Sequence, residues 1–464
     1  MADKTEMQKL AEKILIQKKP GLKTLDPKQV NDFAEKYKEF LSNHKTEREI
    51  VSYVKEEAEN AGFTDITKAT SLEKGWKYYL EEAEKNLALI RFGGLGSLHV
   101  VASHADSPCL HLKPYPLAEA QKVALLKGHY YGGIKKYQWA NFQLALHGVV
   151  FTKNGKRVDI NIGEKPGDPV FTVPDLLPHL ARDQMQKKAK DIIEGEQLNP
   201  IVGNTEVDDE NISEKAKLAI AKLLNEQYGI VEEDFITSEL MFVPAGPARD
   251  VGFDKSMVSG FGQDDKSSAY TSVRAILDAK DFPGTQICLL YDKEEIGSEG
   301  KTSAKNRFLQ HLIERLIELS ETDMKLSQVW KNTKIISADV TCAADPNFAD
   351  AHDLSNASFL GYGVSVEKYG GAGGKYYTND AEADFMRKLL ALFEKNKVPW
   401  QTGEAGKIDL GGGGTIAMYL AEWGADVIDI GIPVLGMHAP FELSSKADLY
   451  AAYKAYKTFF ENQV

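Results

Sequence analysis

The strongest constraint on the fold is an apolar run that ends beside two adjacent glutamates. Residues 286–290 predict a buried strand, and Glu294 and Glu295 follow it within a few positions. Because neighbouring side chains on extended backbone point in different directions, one glutamate can bind a metal while the other holds a water. Paired carboxylates also occur on ordinary solvated loops. The pair therefore indicates a site only if matching residues follow other strands.

A second candidate position lies after a predicted pair of strands. Residues 87–92 and 98–103 predict two strands, joined as a hairpin by the glycine-rich turn 93–96. His104 and Asp106 follow the second strand, and their spacing of two places them on the same side of extended backbone. This spacing allows His104 to bind a metal while Asp106 orients its ring. A surface histidine beside a chance aspartate is the alternative.

Three further candidates stand at the ends of predicted elements. Asp264 precedes a predicted helix at 267–279, where aspartate is also a favoured capping residue. Asp339 follows a predicted strand at 334–338, and His438 lies beyond the last predicted strand. In open α/β sheets, sites form outside the carboxyl ends of the strands, so we expect these residues to converge.

The candidate ligands are all oxygen or nitrogen donors: His104, Asp264, Glu295, Asp339 and His438. Such a set suits two divalent ions roughly 3.5–4 Å apart. Zinc is the first expectation, with cobalt or manganese as alternatives, because no cysteine belongs to the set. One carboxylate must bridge the two ions, and Asp264 is the best candidate. Glu294 is then left as a general base.

Composition excludes several classes of protein. The 464 residues predict two domains, or one large domain with an insertion. A formal net charge of -12 argues against a nucleic-acid partner. We read neither a signal peptide nor an apolar run of the roughly 20 residues that cross a bilayer. A cytoplasmic protein without a membrane partner is therefore expected, and three widely spaced cysteines predict no disulfide framework.

The middle of the chain differs from the rest in its sequence pattern. Residues 117–245 predict β-structure, a polar stretch and a helix from about 214 to 228, with no ligand after any strand. We interpret them as an inserted β-rich domain for association, between two parts of a catalytic domain at 1–116 and 246–464. His179, in the insert, is by default a packing or capping residue.

Four motifs carry a resemblance to a known family, and they are His104-Ala-Asp106-Ser-Pro, Asp264-Asp265, Glu294-Glu295-Ile-Gly-Ser and Met437-His438. Together they resemble the M18 metallo-aminopeptidases, relatives of aspartyl aminopeptidase and yeast vacuolar aminopeptidase. The resemblance covers nearly the whole chain. It implies a zinc-peptidase-like α/β/α sandwich with an inserted dimerisation domain, and it implies release of N-terminal residues from peptides.

The resemblance also implies a role for each candidate. Asp339 would join His104 on one metal, Glu295 would join His438 on the other, and Asp264 would bridge them. Asp106 would orient His104, and Glu294 would act as the general base. His179 matches a family histidine that reaches into a neighbouring subunit's active site. A homo-oligomer, a dodecamer built from dimers, is the implied assembly.

The chain departs from the pattern of aspartyl aminopeptidases. Cys342 and Asp345 stand where that branch has histidines, and Asp265 stands where it has asparagine. These changes leave the metal ligands intact but bear on the preference for acidic N-terminal residues. Lys368 stands at the position of a substrate-binding lysine, and Lys375 is a weaker candidate for the same task.

Three alternatives to an acid-preferring aminopeptidase remain open at this stage. The first is a broad or neutral aminopeptidase of the same family. The second is a dinuclear deacylase or carboxypeptidase, which cleavage of a substrate with a blocked α-amine would reveal. The third is a non-enzymatic shell or binding protein, which the intact Glu294 and ligand set oppose.

Overall fold

The computed structural model describes residues 4–16 and 20–464, and its strands and helices are numbered along the chain. The largest sheet contains β1 (Thr64–Asp65), β2 (Lys77–Glu82), β3 (Asn86–Arg91), β4 (Leu98–His104), β13 (Thr285–Tyr291), β14 (Thr333–Ser337), β16 (Val364–Glu367), β17 (Trp400–Thr402) and β18 (Asp426–Gly431). The strand order is β1-β2-β3-β13-β4-β14-β18-β16-β17. Strands β13, β4, β14 and β18 run parallel, so their carboxyl ends lie at one edge.

Helices cover both faces of this sheet. In the described part of the chain, the helices are α1 (Glu6–Ile14), α2 (Pro27–Asn43), α3 (Glu47–Asn60), α4 (Lys215–Tyr228), α5 (Gln263–Leu277), α6 (Phe308–Leu319), α7 (Leu326–Lys331), α8 (Ala383–Lys395), α9 (Ala417–Ala421) and α10 (Lys446–Glu461). Helices α2, α3, α5, α8 and α10 pack in one core, and α6, α7 and α9 pack in the other. The predicted α/β/α sandwich is confirmed.

Alternation along β13 shows why the sheet needs two covering layers. Cys288 and Leu290 belong to one core, whereas Ile287 and Leu289 belong to the other. Successive side chains of a strand point to opposite faces, so an apolar residue at every position must be buried on both sides. No helix of the described residues has the length and apolar character that crossing a membrane requires.

The predicted hairpin of residues 87–92 and 98–103 is wrong. Strand β13 lies between β3 and β4, antiparallel to the first and parallel to the second. The connection 93–96 passes over the start of β13, and a Cβ on Gly93 would lie only 2.2 Å from the carbonyl oxygen of Gly284. The glycine-rich turn therefore serves a close crossing of backbones. An apolar strand such as β13 requires a neighbour on each edge, and these two strands provide it.

A second sheet is built from the middle of the chain. Its strands are β5 (Cys109–Ala120), β6 (Val123–Tyr131), β7 (Leu144–Phe151), β8 (Arg157–Ile162), β9 (Ile201–Gly203) and β10 (Ser238–Pro244), in the order β8-β7-β10-β5-β6-β9. They share a separate hydrophobic core. Helix α4 lies where the sequence predicts a helix, and Gly229 ends it in the left-handed conformation.

A third, smaller sheet lies beside the carboxyl edge of the first. Its strands are β11 (Arg249–Val251), β12 (Met257–Gly260), β15 (Thr341–Cys342), β19 (Pro433–Leu435) and β20 (Glu442–Ser445), in the order β11-β12-β20-β19-β15. Strand β12 leads into α5, and β19 leads into the turn that contains His438. The third sheet therefore positions the remaining candidate ligands.

Candidate metal centre

Three strand ends of the largest sheet carry candidate ligands. His104 is the last residue of β4, Glu295 follows β13, and Asp339 follows β14 by two positions. Because β4 pairs in parallel with both other strands, the three ends lie side by side. The backbone N–H of Ala338 extends this pairing by donating to the carbonyl of Ala102 at 2.7 Å. Asp339 is thereby held next to the end of β4.

Asp264 contacts two histidines through two different oxygens. It follows Gly262, whose left-handed φ of 70° turns the chain into α5. Its Oδ1 lies 3.1 Å from Nε2 of His104, and its Oδ2 lies 3.1 Å from Nε2 of His438. A carboxylate in this position can offer one oxygen to each of two neighbouring ions.

Each histidine also faces a second carboxylate. Oδ1 of Asp339 lies 3.7 Å from Nε2 of His104, and Oε2 of Glu295 lies 3.3 Å from Nε2 of His438. Oε2 of Glu294 lies 4.0 Å from Nε2 of His104. Two overlapping triads have ligand atoms within 4.8 Å of one another, and they are His104, Asp264 and Glu295, and His104, Glu294 and Asp339.

The donor set fits a divalent metal ion. The side chains of His104 and Asp264 are only 1% and 6% exposed. Burial raises the pKa of both Glu295 and Asp339 above the ordinary values. Oε1 of Glu295 is buried and has no hydrogen-bond partner among the described residues. Buried carboxylates are costly without a cation, and this mixture of imidazole and carboxylate donors is that of catalytic zinc, manganese or cobalt.

The electrostatics of the cluster are dominated by burial and by the pairing of histidines with carboxylates. Burial opposes a charge on His104, but Asp106 and Asp264 raise its pKa well above the usual range. Burial likewise opposes a charge on His438, and Asp264 is the main cause that raises its pKa to about 10. Burial raises the pKa of Glu294 to about 8, although the positive His104 acts in the opposite direction.

Asp106 joins His104 to the two glutamates. Its Oδ1 lies 3.3 Å from Nδ1 of His104, and its backbone carbonyl oxygen lies 3.0 Å from the same nitrogen. The carboxylate also accepts the backbone N–H of Glu294 at 3.1 Å and that of Glu295 at 3.2 Å. Both contacts of Nδ1 are acceptors, so Nδ1 carries a proton and Nε2, which faces Asp264, is the nitrogen available to a metal.

Three predicted site residues make no hydrogen bond or ion pair with this cluster within the described part of the chain. His179 is exposed on the segment that precedes β9. Nζ of Lys368 lies 3.7 Å from Oδ1 of Asp380, and Nζ of Lys375 lies 3.1 Å from Oδ2 of the same residue. Lys375 also lies 3.6 Å from the ring centroid of Tyr369. The two lysines therefore share one carboxylate.

Sequence reasoning missed three residues that contact the cluster: Tyr131, Gly133 and Glu442. Glu442 carried a signal, because it is a lone carboxylate between Phe441 and Leu443 and follows His438 by four positions. The two glycines that follow Tyr131 were also a signal, since paired glycines at a strand end permit a close approach of backbone.

The substitution at Asp265 has a visible structural role. This buried aspartate accepts the backbone N–H of His104 at 3.3 Å through Oδ2. Cys342 is partly buried, and its Sγ lies 3.5 Å from the carbonyl oxygen of Ala343. Neither Cys342 nor Asp345 makes a hydrogen bond or ion pair with the candidate ligands in the ranges 4–16 and 20–464.

An α/β/α sandwich with a cluster of imidazole and carboxylate donors at the carboxyl edge of its parallel strands is the arrangement of a metal-dependent hydrolase. The chain belongs to the M18 family of aminopeptidases, because the family model described as Aminopeptidase I zinc metalloprotease (M18) matches residues 40–460. The expected family is confirmed.

Individual relatives agree with this assignment. A probable M18 family aminopeptidase 1 of Borrelia garinii is 45% identical over 442 residues, which cover 93% of this chain and 96% of that protein. The crystal structure of an M18 family aminopeptidase from Thermotoga maritima has a TM-score of 0.93 at 42% identity and covers 97% of this chain and 100% of that chain. A yeast aminopeptidase structure described as a dodecamer shares the fold, with a TM-score of 0.75 at 21% identity, covering 93% of this chain and 97% of that chain.

Proposed function

We propose that this aminopeptidase works with two divalent ions, zinc in the first instance. His104 and Asp339 would hold one ion, Glu295 and His438 would hold the other, and Asp264 would be shared. The observation that carries the proposal is the position of Asp264, whose two oxygens each lie 3.1 Å from Nε2 of a different histidine. A carboxylate in this position can be shared by two co-catalytic ions.

When bound, the ions supply Lewis acidity toward the scissile carbonyl and a binding point for the substrate's α-amine. Glu294 takes a proton from the attacking water and returns it to the leaving amine. Its position supports this role, because Oε2 lies 4.0 Å from Nε2 of His104 while the neighbouring Glu295 faces His438. Asp106 orients His104 from the other side of the ring.

The test is a comparison of metal content and turnover in the Glu294→Gln variant. We expect two zinc equivalents per chain in both wild type and variant, and a loss of turnover of at least about 100-fold in the variant. Glu299→Gln is the matched control, because Glu299 is an exposed neighbour that pairs with Lys305. Near-normal turnover of Glu294→Gln refutes the general base, and a single equivalent in wild type refutes the dinuclear site.

For the first substrate residue, the proposal is a preference for Asp and Glu, with Lys368 and Lys375 supplying positive charge. Both lysines are partly exposed, with side chains 46% and 44% exposed, and both face Asp380. A substrate carboxylate can replace Asp380 as their partner. The test is a panel of free-amine aspartyl, glutamyl, leucyl and lysyl peptides, with Lys368→Met beside Lys395→Met as control. Faster cleavage of leucyl or lysyl peptides assigns the chain to a neutral or broad branch.

Assembly into a homo-oligomer, a dodecamer built from dimers through residues 117–245, completes the proposal. Support comes from the segment around His179, where Leu180 is 68% exposed and His179 is exposed beside it. The related yeast structure is described as a dodecamer. Sedimentation velocity measures the mass of the assembly, and a mass of twelve chains is expected.

A mixing experiment tests whether His179 acts on a neighbouring subunit. Chains carrying His179→Ala are mixed with chains carrying Glu294→Gln, and partial recovery of activity is expected if the site is shared. No recovery in verified mixed oligomers contradicts the role. A cytoplasmic location stays a prediction, which cell fractionation checks.

A further inference from the structure

One short segment of the second sheet reaches the partners of both histidine ligands. Tyr131 ends β6, and its hydroxyl donates to Oδ2 of Asp106 at 2.7 Å. Two residues later, the carbonyl oxygen of Gly133 lies 2.7 Å from Nδ1 of His438. Residues 131–133, here named the orienting segment, therefore contact both halves of the metal centre.

The Tyr131 contact acts on His104 through Asp106. The carboxylate of Asp106 lies 3.3 Å from Nδ1 of His104 and is 4% exposed. The Tyr131 ring is itself held in place, because it stacks on His111 with centroids 4.6 Å apart and an interplanar angle of 4°. The hydroxyl therefore fixes the direction of the carboxylate that orients the ligand.

The Gly133 contact acts on His438 directly. A backbone carbonyl can only accept a hydrogen bond, so Nδ1 of His438 carries the proton. Nε2 faces Oδ2 of Asp264 at 3.1 Å and Oε2 of Glu295 at 3.3 Å, so it is the nitrogen that can give up its proton and bind a metal. The carbonyl thus selects the tautomer that can bind a metal.

Gly132 allows the segment to come this close. Its φ of +77° lies in the region that favours glycine, and a Cβ there would lie 3.2 Å from Oε2 of Glu295 and 3.2 Å from Cγ of Pro108. Any larger residue would push the segment away from the ligand Glu295 and would displace the neighbouring carbonyl of Gly133.

We propose that the orienting segment is a positioning element, through which the second sheet sets the tautomer and direction of both histidine ligands. This inference rests on the proposed dinuclear site. It assigns Tyr131 to the ion at His104, and it assigns Gly132 and Gly133 to the ion at His438. Removing the Tyr131 contact is therefore expected to weaken the binding of the ion at His104 most, and displacing Gly133 is expected to weaken the binding of the ion at His438 most.

The first experiment is a cobalt(II) titration of the apo-protein with Tyr131→Phe. We expect the dissociation constant of one ion to rise about 10-fold or more, as for other residues that support a ligand from outside the coordination sphere. In the cobalt-loaded protein, the hyperfine-shifted Nδ1–H proton resonance of His104 should move further than that of His438. Tyr130→Phe is the matched control, since Tyr130 is the exposed preceding residue of β6.

The second experiment uses Gly132→Ala, which should lower the affinity for the ion at His438 and move the His438 resonance. Gly155→Ala is its control, because Gly155 has a similar φ of +76° but no atom within 4 Å of the added Cβ. The control separates strain of the backbone from displacement of the segment.

The outcomes separate the two proposals. A wild-type protein that binds fewer than two cobalt ions overturns the dinuclear site itself. Two ions in wild type, with unchanged affinities and unchanged histidine resonances in both Tyr131→Phe and Gly132→Ala, overturn only the positioning role. If Tyr131→Phe fails to fold, Gly132→Ala decides the question alone, and loss of affinity at one ion supports the inference.

Discussion

Glu442 accepts the backbone N–H of Asp264 at 3.0 Å through Oε2. Its other oxygen, Oε1, accepts the backbone N–H of His438 at 2.7 Å. Glu442 is 1% exposed and belongs to β20, so one buried carboxylate holds the backbone of two candidate ligands that lie far apart in the sequence. The spacing between Asp264 and His438 therefore depends on Glu442 as well as on any bound metal.

Changing Glu442 to Gln should loosen this spacing. A glutamine has one acceptor oxygen, so its NH2 group would face one of the two backbone N–H donors. We expect the zinc dissociation constant to rise about 10- to 100-fold and the free energy of unfolding of the apo-protein to fall by about 1–3 kcal/mol. Competition with a chromophoric chelator measures the first, and urea unfolding measures the second. Glu422→Gln, at an exposed position, is the control, and equal zinc affinity in both variants would contradict the role.

Metal removal should lower the unfolding temperature. Several buried carboxylates converge in the cluster, and an ion that binds only the folded state stabilises it by about 2.7 kcal/mol at a free concentration 100 times its dissociation constant. Calorimetry after chelation and after zinc return measures this difference. The rise in unfolding temperature on adding zinc should be smaller in His438→Ala than in wild type. It should be unchanged in His311→Ala, because His311 is exposed. An unchanged transition in wild type would mean that the cluster binds no zinc.

The change of stability with pH should depend in part on His147. This buried residue of β7 places Nδ1 2.8 Å from Glu49 and Nε2 3.2 Å from Glu164. Burial lowers its pKa, but the two glutamates outweigh burial and raise the pKa above the usual value. Since the folded-state pKa exceeds the unfolded one, this stabilisation is complete below about pH 6.5 and is lost as the pH rises through the folded-state pKa.

The variant His147→Gln should therefore be less stable than wild type mainly at acidic pH. We expect the difference in unfolding free energy between wild type and variant to be about 1–3 kcal/mol at pH 6 and smaller at pH 9. Urea unfolding at both pH values measures it. His311→Gln is the control, and a difference that grows from pH 6 to pH 9 would show that the sign is wrong.

The close crossing of backbones at the start of β13 predicts that alanine substitutions at two glycines of one turn change the free energy of unfolding by different amounts. Gly93→Ala should destabilise the fold by about 1–3 kcal/mol, because the new methyl group would lie 2.2 Å from the carbonyl oxygen of Gly284. Gly96→Ala should change stability by less than about 0.5 kcal/mol, since its Cβ has no neighbour within 4 Å. Chemical unfolding compares the two, and equal stabilities would contradict the crossing.

Residues at or shortly after the end of a strand could be predicted from the sequence. His104, Glu295 and Asp339 each follow an apolar run, and the rule that sites form at the carboxyl edge of parallel strands brings them together. This argument needs only local pattern and chemistry. The structure places all three within one cluster, together with Asp264.

Relationships between distant segments could not be predicted in the same way. The neighbours of β13 depend on pairing across about 190–200 residues of sequence, which periodicity does not record. The contacts of Tyr131 and Glu442 depend on how three sheets meet. The role of His179 depends on a second copy of the chain, so it stays a prediction.

The placement of β13 between β3 and β4 has a consequence for synthesis on the ribosome. Strands β3 and β4 emerge early, but the strand that pairs with both of them ends only at Tyr291. Every strand of the second sheet lies between residues 109 and 244. That sheet can therefore close while β3 and β4 still lack the strand that lies between them, and the candidate metal centre takes shape only after the last third of the chain has been made.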